Sequence, residues 1–280
     1  MFPIIDLIAV DLDGTLLNSN RLISHENELA IQDAQNLGIE VVLASGRMYR
    51  NLYFFQHQLG LASNSIIGSN GAEVRGQNGL ILHQALLNKQ IKEKVINLSR
   101  QYNIHLNAYT HEELWFLKDD TWGDIYLSRV HPSKRKIVEP DDIIVFEIVK
   151  LLLVADPESI TKFHDAEGDK LEKLGTKITK SEPDYLEFLP PNTSKGTGLE
   201  TISKLLKIPP ARIAAIGDYF NDLEMLEFAG FAIAMMNAPD EIKSLAQYIT
   251  STNDENGVAK AINLLCEAKR MSISQAEVLR

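Results

Sequence analysis

Cysteine is almost missing from this chain. The single one, Cys266, permits no internal disulfide and no cysteine-built metal site. It stands in an apolar helical pattern, which predicts a buried structural thiol rather than a reactive one. Long apolar runs are missing too: none reaches the ~18–20 residues that a bilayer-crossing helix needs. The first residues lead straight into a strand pattern, with no basic leader and no cleavage site, so a cytoplasmic location is the expectation. Positive charge is in short supply. Lys and Arg number 28 against 38 Asp and Glu, a formal net charge of −10, which argues against nucleic acid or an anionic membrane as the main partner. That balance does not exclude a phosphorylated substrate, whose binding depends on the local field and on metal. What is present suffices for a sizeable core, since 45% of the residues are hydrophobic. A length of 280 residues exceeds the ~100–200 expected of one domain and suggests two.

The chain is organised around Asp11-Leu12-Asp13-Gly14-Thr15, which follows an apolar run over 4–10. Such a run predicts a strand buried on both faces, of the kind found in parallel sheets. Ligands of open α/β sheets sit beyond the carboxyl ends of the strands, so the two acids are delivered to a site. Alternation along an extended chain projects Asp11 and Asp13 to the same side. Two carboxylates held together invite a divalent cation, because bare they repel one another. Taken alone, the same pattern also suits a solvated acidic turn.

After that turn, Ser24 is set to cap a helix with acids in its first turn, a stripe of Leu29, Ile31, Ala34 and Leu37, and Gly38 as its close. A second buried strand over 39–44 ends in Ser45-Gly46-Arg47, and a third around 66–67 ends in Gly68-Ser69-Asn70-Gly71. Strands alternating with helices predict an α/β fold with a doubly wound parallel sheet. The texture changes near residue 80. A strand over 79–86, an amphipathic helix over 89–102, paired strands over 104–109 and 113–118, and a short helix over 122–129 are expected. A strand over 150–155, a helix from Pro157 and a hairpin over 176–189 follow. This α+β block interrupts the first pattern as an inserted domain over 84–189, leaving 1–83 and 190–280 as the Rossmann-like core. Past Pro190-Pro191, a helix capped by Thr193 or Ser194 leads to a strand over 213–216 that ends in Gly217-Asp218-Tyr219-Phe220-Asn221-Asp222. Edge strands over 231–234 and near 249, a last helix over 258–269 and a loosely held polar tail complete the reading.

One sheet edge thus collects Asp11 and Asp13, Ser45 and Gly46, and Asp218, Asn221 and Asp222, with Lys195 at a helix start. These are the parts of phosphoryl transfer. A carboxylate can be the nucleophile, a cation can neutralise phosphate oxygens, a hydroxyl and N–H groups can hold them, and a lysine takes the remaining charge. Three acids suit one Mg²⁺, which prefers oxygen ligands.

Asp11-Leu12-Asp13-Gly14-Thr15, Ser45-Gly46-Arg47, Lys195-Gly196 and the 217–222 stretch resemble, in order, the motifs of the haloacid dehalogenase (HAD) superfamily. The insertion lies where its Cof-type phosphatases carry a C2B cap. Asn70-Gly71-Ala72 and Gly257-Val258-Ala259-Lys260-Ala261-Ile262 are similar to that subfamily as well. The resemblance implies that Asp11 attacks phosphorus and that Asp13 protonates the leaving alkoxide and then activates water. It implies a Mg²⁺ held by Asp11, the Asp13 carbonyl and Asp218, supported by Asp222, and a phosphoryl group held by Ser45, Gly46, Lys195 and Asn221. The acid at Asp13 favours ester hydrolysis or phosphomutase chemistry over the ATPase and dehalogenase branches. The expected activity is a phosphatase for a small phosphorylated metabolite such as a sugar phosphate. A phosphomutase and a non-catalytic binding protein are the alternatives.

Other features carry plainer expectations. Arg47 is placed equally at substrate, in a salt bridge or at a helix start, and the basic 129–136 loop on a solvated face. His105, His111 and His131 are not at metal-ligand spacing and are assigned to the surface. Trp115 and Trp122 are assigned to core packing, although Tyr109, Trp115 and Glu187 are also the candidates for sensing the leaving group.

Overall fold

In the computed structural model, which describes residues 2–130 and 134–278, the strands fall into two sheets. The chain first forms β1 (Leu7–Asp11), β2 (Glu40–Ala44), β3 (Ile66–Gly68), β4 (Glu73–Arg75) and β5 (Ile81–Gln84). Then come β6 (His105–Tyr109), β7 (Leu114–Phe116), β8 (Arg135–Ile137), β9 (Lys150–Val154), β10 (Lys177–Thr179) and β11 (Tyr185–Leu189). Last are β12 (Ile213–Gly217), β13 (Phe231–Ala234) and β14 (Tyr248–Ile249). The first and last groups make one eight-stranded sheet, ordered β14-β13-β12-β1-β2-β3-β4-β5. The middle group makes a six-stranded sheet, ordered β10-β11-β9-β6-β7-β8.

From β14 to β3 every pairing in the larger sheet is parallel, as the alternation of strands and helices predicts. Its central strands β1, β2 and β12 are largely apolar because both faces are covered. Ile8 and Val10 lie in one apolar cluster with their partners Val41 and Leu43, while Leu7, Ala9 and Val42 lie in the cluster on the other face. Each fully buried Leu or Ile contributes roughly 1.5–3 kcal/mol relative to exposure. β1 sits between β12 and β2, so the chain leaves the centre in opposite directions and a crevice opens at the carboxyl end of β1.

The strand expected over 79–86 is β5, and it belongs to the larger sheet, antiparallel to a β4 that the apolar pattern did not suggest. The turn between β3 and β4 is made by Ser69, Asn70 and Gly71 at φ of 48°, 53° and 91°. A Cβ on Gly71 would run into the backbone carbonyl of Ser194, so this close approach requires glycine. The last helix does not stop near 269 but runs Gly257–Val278, with no Gly or Pro after its first residue to end it. Lys269 and Arg270 pair with Asp6 and Asp33 and tie its later turns down. In the helix His25–Asn36, Ser24 caps as expected, accepting from the Asn27 N–H at 3.2 Å. Leu29 lies outside the buried stripe and is 50% exposed.

The six-stranded sheet carries an apolar cluster on each face. One is covered by the helices Lys89–Gln101 and Pro157–Glu172 and includes Leu106, Leu151, Leu153 and Phe188. The other includes Tyr109, Phe116, Tyr126 and Tyr185, and it takes in Met48 and Ala72 from the region of the larger sheet. His105, expected at the surface, is fully buried under the helix Thr121–Arg129. Its ring packs edge-on against Phe116 at 4.6 Å and pairs with Asp120 at 2.7 Å, and burial holds its pKa below the ordinary histidine range. The short period of β6 disguised this, because β6 is buried on both faces. His111 is partly exposed, and His131 lies outside the described residues. Cys266 is buried, with burial pushing its thiol pKa up to about 12. Among the described residues, no helix is long and apolar enough to cross a membrane.

Candidate active site

Asp11 is the last residue of β1, and Asp218 follows the end of β12 directly. A short helical turn, Phe220–Asp222, brings Asp222 back beneath Asp218, where its Oδ2 accepts the backbone N–H groups of Asp218 and Tyr219 at 2.9 and 3.1 Å. Lys195 opens the helix Lys195–Leu206, whose N-cap Ser194 accepts from the Thr197 N–H. The start of that helix lies over the carboxyl ends of the strands. Lys195 Nζ donates to Asp11 Oδ1 at 2.5 Å and to Asp222 Oδ1 at 2.6 Å. Thr15 Oγ1 donates to Asp218 Oδ1 at 2.9 Å, and Asn237 Nδ2 to the Gly14 carbonyl at 2.8 Å. Asp218 presses so closely on Gly14 (φ 78°) that no side chain fits there.

One ligand oxygen from each of Asp11, Asp218 and Asp222 lies within 4.8 Å of the others. Burial, then the charge of Asp222, raises the Asp11 pKa to about 7, against the opposing pull of Lys195. Burial and the charges of Asp11 and Asp222 push Asp218 well above the usual carboxylate range. Burial works against the Lys195 ammonium, yet Asp11 and Asp222 outweigh it and hold its pKa above the ordinary lysine range. One cation for three acids leaves the cluster short of positive charge, and all its donors are hard oxygens, so the residues fit a divalent cation such as Mg²⁺.

Asp13 faces a different environment, and its carboxylate is not part of that cluster. Arg47 grips it in a fork, Nε to Oδ2 at 2.7 Å and Nη2 to Oδ1 at 2.6 Å, and Arg21 Nη1 adds a third contact at 2.6 Å. Burial would raise the Asp13 pKa, but Arg47 and then Arg21 overcome it and hold the group below the usual range. Arg47, expected at substrate, in a salt bridge or at a helix start, makes the salt bridge to Asp13, and it also lines a small chamber that Asp13 lines. Ser45 is buried just past β2, its Oγ accepting the Arg47 N–H at 3.2 Å. Asn221 Nδ2 donates to Asn70 Oδ1 at 3.1 Å.

Asp11, Asp13, Ser45, Gly46 and Asn221 line one small chamber of about 40 Å³, whose far wall includes Tyr109 from the six-stranded sheet. That holds a few waters, at ~10–15 Å³ each. The chain between the sheets is crossed by side-chain hydrogen bonds: Arg47 Nη2 to the Arg129 carbonyl at 2.9 Å, and Lys150 Nζ to the Gly46 carbonyl at 2.5 Å. Glu187 lines the chamber, but Trp115 does not. Its indole N–H donates to Glu113 at 2.7 Å and its ring packs on Phe146, in the cluster on the other face of the sheet. Arg21, Asn70, Tyr126 and Lys150 had no assigned role in the sequence. Lys150 reads locally as the first residue of an apolar strand and Arg21 as a loop residue; their partners Glu187, Asp13 and Glu182 meet them only in three dimensions.

A family model for haloacid dehalogenase-like hydrolases matches residues 8–262. The 5-amino-6-(5-phospho-D-ribitylamino)uracil phosphatase YcsE of Bacillus subtilis is 32% identical over 258 residues, which cover 92% of this chain and 94% of that one. Phosphatase YwpJ of the same organism is 31% identical, covering 90% of this chain and 97% of its own. Among solved structures, a haloacid dehalogenase-like hydrolase from B. subtilis superposes with a TM-score of 0.84 at 28% identity, covering 92% of this chain and 99% of that one.

Proposed function

The chain belongs to the haloacid dehalogenase-like hydrolases and is a phosphatase, and from that premise we propose that it hydrolyses small phosphate monoesters through an aspartyl-phosphate on Asp11, with Mg²⁺. The observation that carries this reading is the buried cluster of Asp11, Asp218 and Asp222 around Lys195, at the carboxyl end of the central strand. Asp11, the Asp13 carbonyl, Asp218 and Asp222 are the groups that would hold the cation, which when bound neutralises phosphoryl oxygens and keeps Asp11 ionised.

An oxygen of the Asp11 carboxylate attacks phosphorus, and the bond from phosphorus to the ester oxygen breaks. Asp13 supplies a proton to that oxygen, and the alcohol leaves. Asp13, now a carboxylate, takes a proton from water as the water oxygen attacks phosphorus, which releases phosphate and restores Asp11. The clamp of Arg47 and Arg21 favours the charged form of Asp13, the form needed for the second step, so the first step requires Asp13 to take up a proton against that clamp. Ser45, the Gly46 N–H, Asn221 and Lys195 receive the phosphoryl oxygens common to every substrate.

A small organic phosphate is the partner that suits a chain this acidic, rather than nucleic acid or a membrane, and the cytoplasm is its proposed compartment. The name of the relative YcsE, a phosphatase for a phosphorylated ribityl compound, supports the same substrate class. A screen for free phosphate released from many phosphorylated metabolites tests the reading. We expect turnover that needs Mg²⁺, vanishes in chelator and is lost in Asp11→Asn, which keeps the size of the side chain. Full activity in chelator, or an Asp11→Asn variant near wild-type rate, would overturn it.

A further inference from the structure

Both oxygens of the Glu187 carboxylate are engaged within the protein. Oε2 accepts from Asn70 Nδ2 at 2.8 Å and pairs with Lys150 Nζ at 2.6 Å, and Oε1 accepts from Ser181 Oγ. Lys150 and Glu187 are 2% and 1% exposed, on β9 and β11 of the six-stranded sheet. Gly46 and Asn70 lie in the turns that follow β2 and β3 of the other sheet. The pair lies beside both chain crossings: the Leu87 N–H donates to the Ile148 carbonyl at 2.8 Å, and β11 ends at Leu189 just before Pro190. A buried ion pair is often no better for stability than an apolar pair of the same volume, so stability alone does not account for this one.

The contacts supply a directional role. Lys150 Nζ holds the Gly46 carbonyl at 2.5 Å, and that carbonyl shares a planar peptide unit with the Arg47 N–H. The same N–H donates to Ser45 Oγ at 3.2 Å. Fixing the carbonyl therefore fixes the plane and aims the Ser45 hydroxyl. On the other side, Asn70 turns one end of its amide to Glu187 and the other to Asn221. One polar chain, Ser45–Gly46–Lys150–Glu187–Asn70–Asn221, thus joins two of the groups assigned to the phosphoryl oxygens, and it closes only when the six-stranded sheet is docked.

We propose that Lys150, Glu187 and Asn70 are positioning residues that set the phosphate-binding loop when the inserted region closes, and that they serve every ester alike instead of selecting the leaving group. This rests on the reading that Ser45, Gly46 and Asn221 receive phosphoryl oxygens. The test uses the full chain in Mg²⁺, with inorganic phosphate as the probe in titration calorimetry. Lys150→Met and Glu187→Gln should weaken phosphate binding about tenfold or more, the scale expected when one hydrogen bond to a charged group is lost. For ethyl phosphate and benzyl phosphate, kcat/KM should fall together, leaving their ratio within about twofold of wild type, since the lost interaction is common to both. Lys150→Arg, which keeps a donor, should recover part of each loss. Thermal melts report folding, and the paired change Lys150→Met with Glu187→Leu, which leaves no unpaired charge, keeps the test open if a single variant unfolds. Unchanged phosphate affinity in folded variants, or an altered ester ratio, overturns the proposal. Should the wild type hydrolyse no ester, the phosphatase reading falls, while the phosphate titration still decides this one.

Discussion

Replacing Lys195 by methionine keeps the volume of the side chain and removes the one ammonium from a cluster of three buried carboxylates. Lys195 is fully buried, and its two ion pairs, at 2.5 and 2.6 Å, are shielded from bulk solvent. Removing one partner of a buried pair costs about 3–5 kcal/mol. Protonation offsets part of that cost. The Asp11 pKa is raised to about 7 even while Lys195 pulls it down, so it rises further once the ammonium is gone; the carboxylates neutralise themselves at low pH, and the penalty grows as pH climbs above 7. At ~2–4 °C per kcal/mol for a chain of this size, the melting temperature should fall by roughly 6–20 °C at pH 8 in chelator, and by less at pH 6. A divalent cation bound to the native state adds stability by mass action, so Mg²⁺ should raise the variant's Tm by more than that of wild type. Thermal melts followed by circular dichroism, with chelator or Mg²⁺ at each pH, read all of this. A fall below about 2 °C at pH 8 in chelator would show that Lys195 does not compensate these acids.

Three further outcomes follow from the geometry. In chelator, Asp11 has a folded pKa of about 7, raised above its unfolded value, so the native state binds more protons and stability falls as pH rises from about 5 to 7. The depressed pKa of His105 works in the opposite sense, so the diagnostic is the difference between wild type and Asp11→Asn, which should lack the Asp11 decline. Gly71→Ala should cost roughly 1–3 kcal/mol in urea unfolding, because its φ is left-handed and the Ser194 carbonyl lies against it. Trp115→Phe should leave the ratio of kcat/KM for benzyl and ethyl phosphate unchanged, whereas Tyr109→Ala, which opens the chamber wall, should shift it toward the larger ester.

How much of this was legible in the sequence follows from the range of the interactions. β1, β2 and β12 announce themselves because strands buried on both faces are apolar without interruption, and the polar residues that end them are adjacent in the chain. Asp11, Ser45 and Asp218 could therefore be placed on one sheet edge before any coordinates. β5 was legible as a strand, but β4 is only three residues long, and the turns at Ser69–Gly71 and Gln77–Gly79 that fold both into an antiparallel edge leave no apolar pattern. His105 reads as a surface residue because its partners Asp120 and Phe116 reach it through the fold. Lys150, Asn70 and Arg21 belong to the site by contacts between distant segments, and no local pattern encodes those. Glu187 was singled out from its strand, but its engagement by Asn70 and Lys150 changes what it is expected to do.

The central claim is that the Asp11 carboxylate takes the phosphoryl group. Acid quench during turnover with an ester in Mg²⁺, followed by mass spectrometry of the peptide spanning Leu7–Asp11 and its neighbours, tests it most directly. The account predicts the mass of one phosphoryl group on Asp11, absent in Asp11→Asn; with 4-nitrophenyl phosphate, whose leaving group needs no proton, it accumulates in Asp13→Asn, where the water-activating base is gone. Rapid phosphate release with no such mass on Asp11 in either the wild type or Asp13→Asn would contradict it.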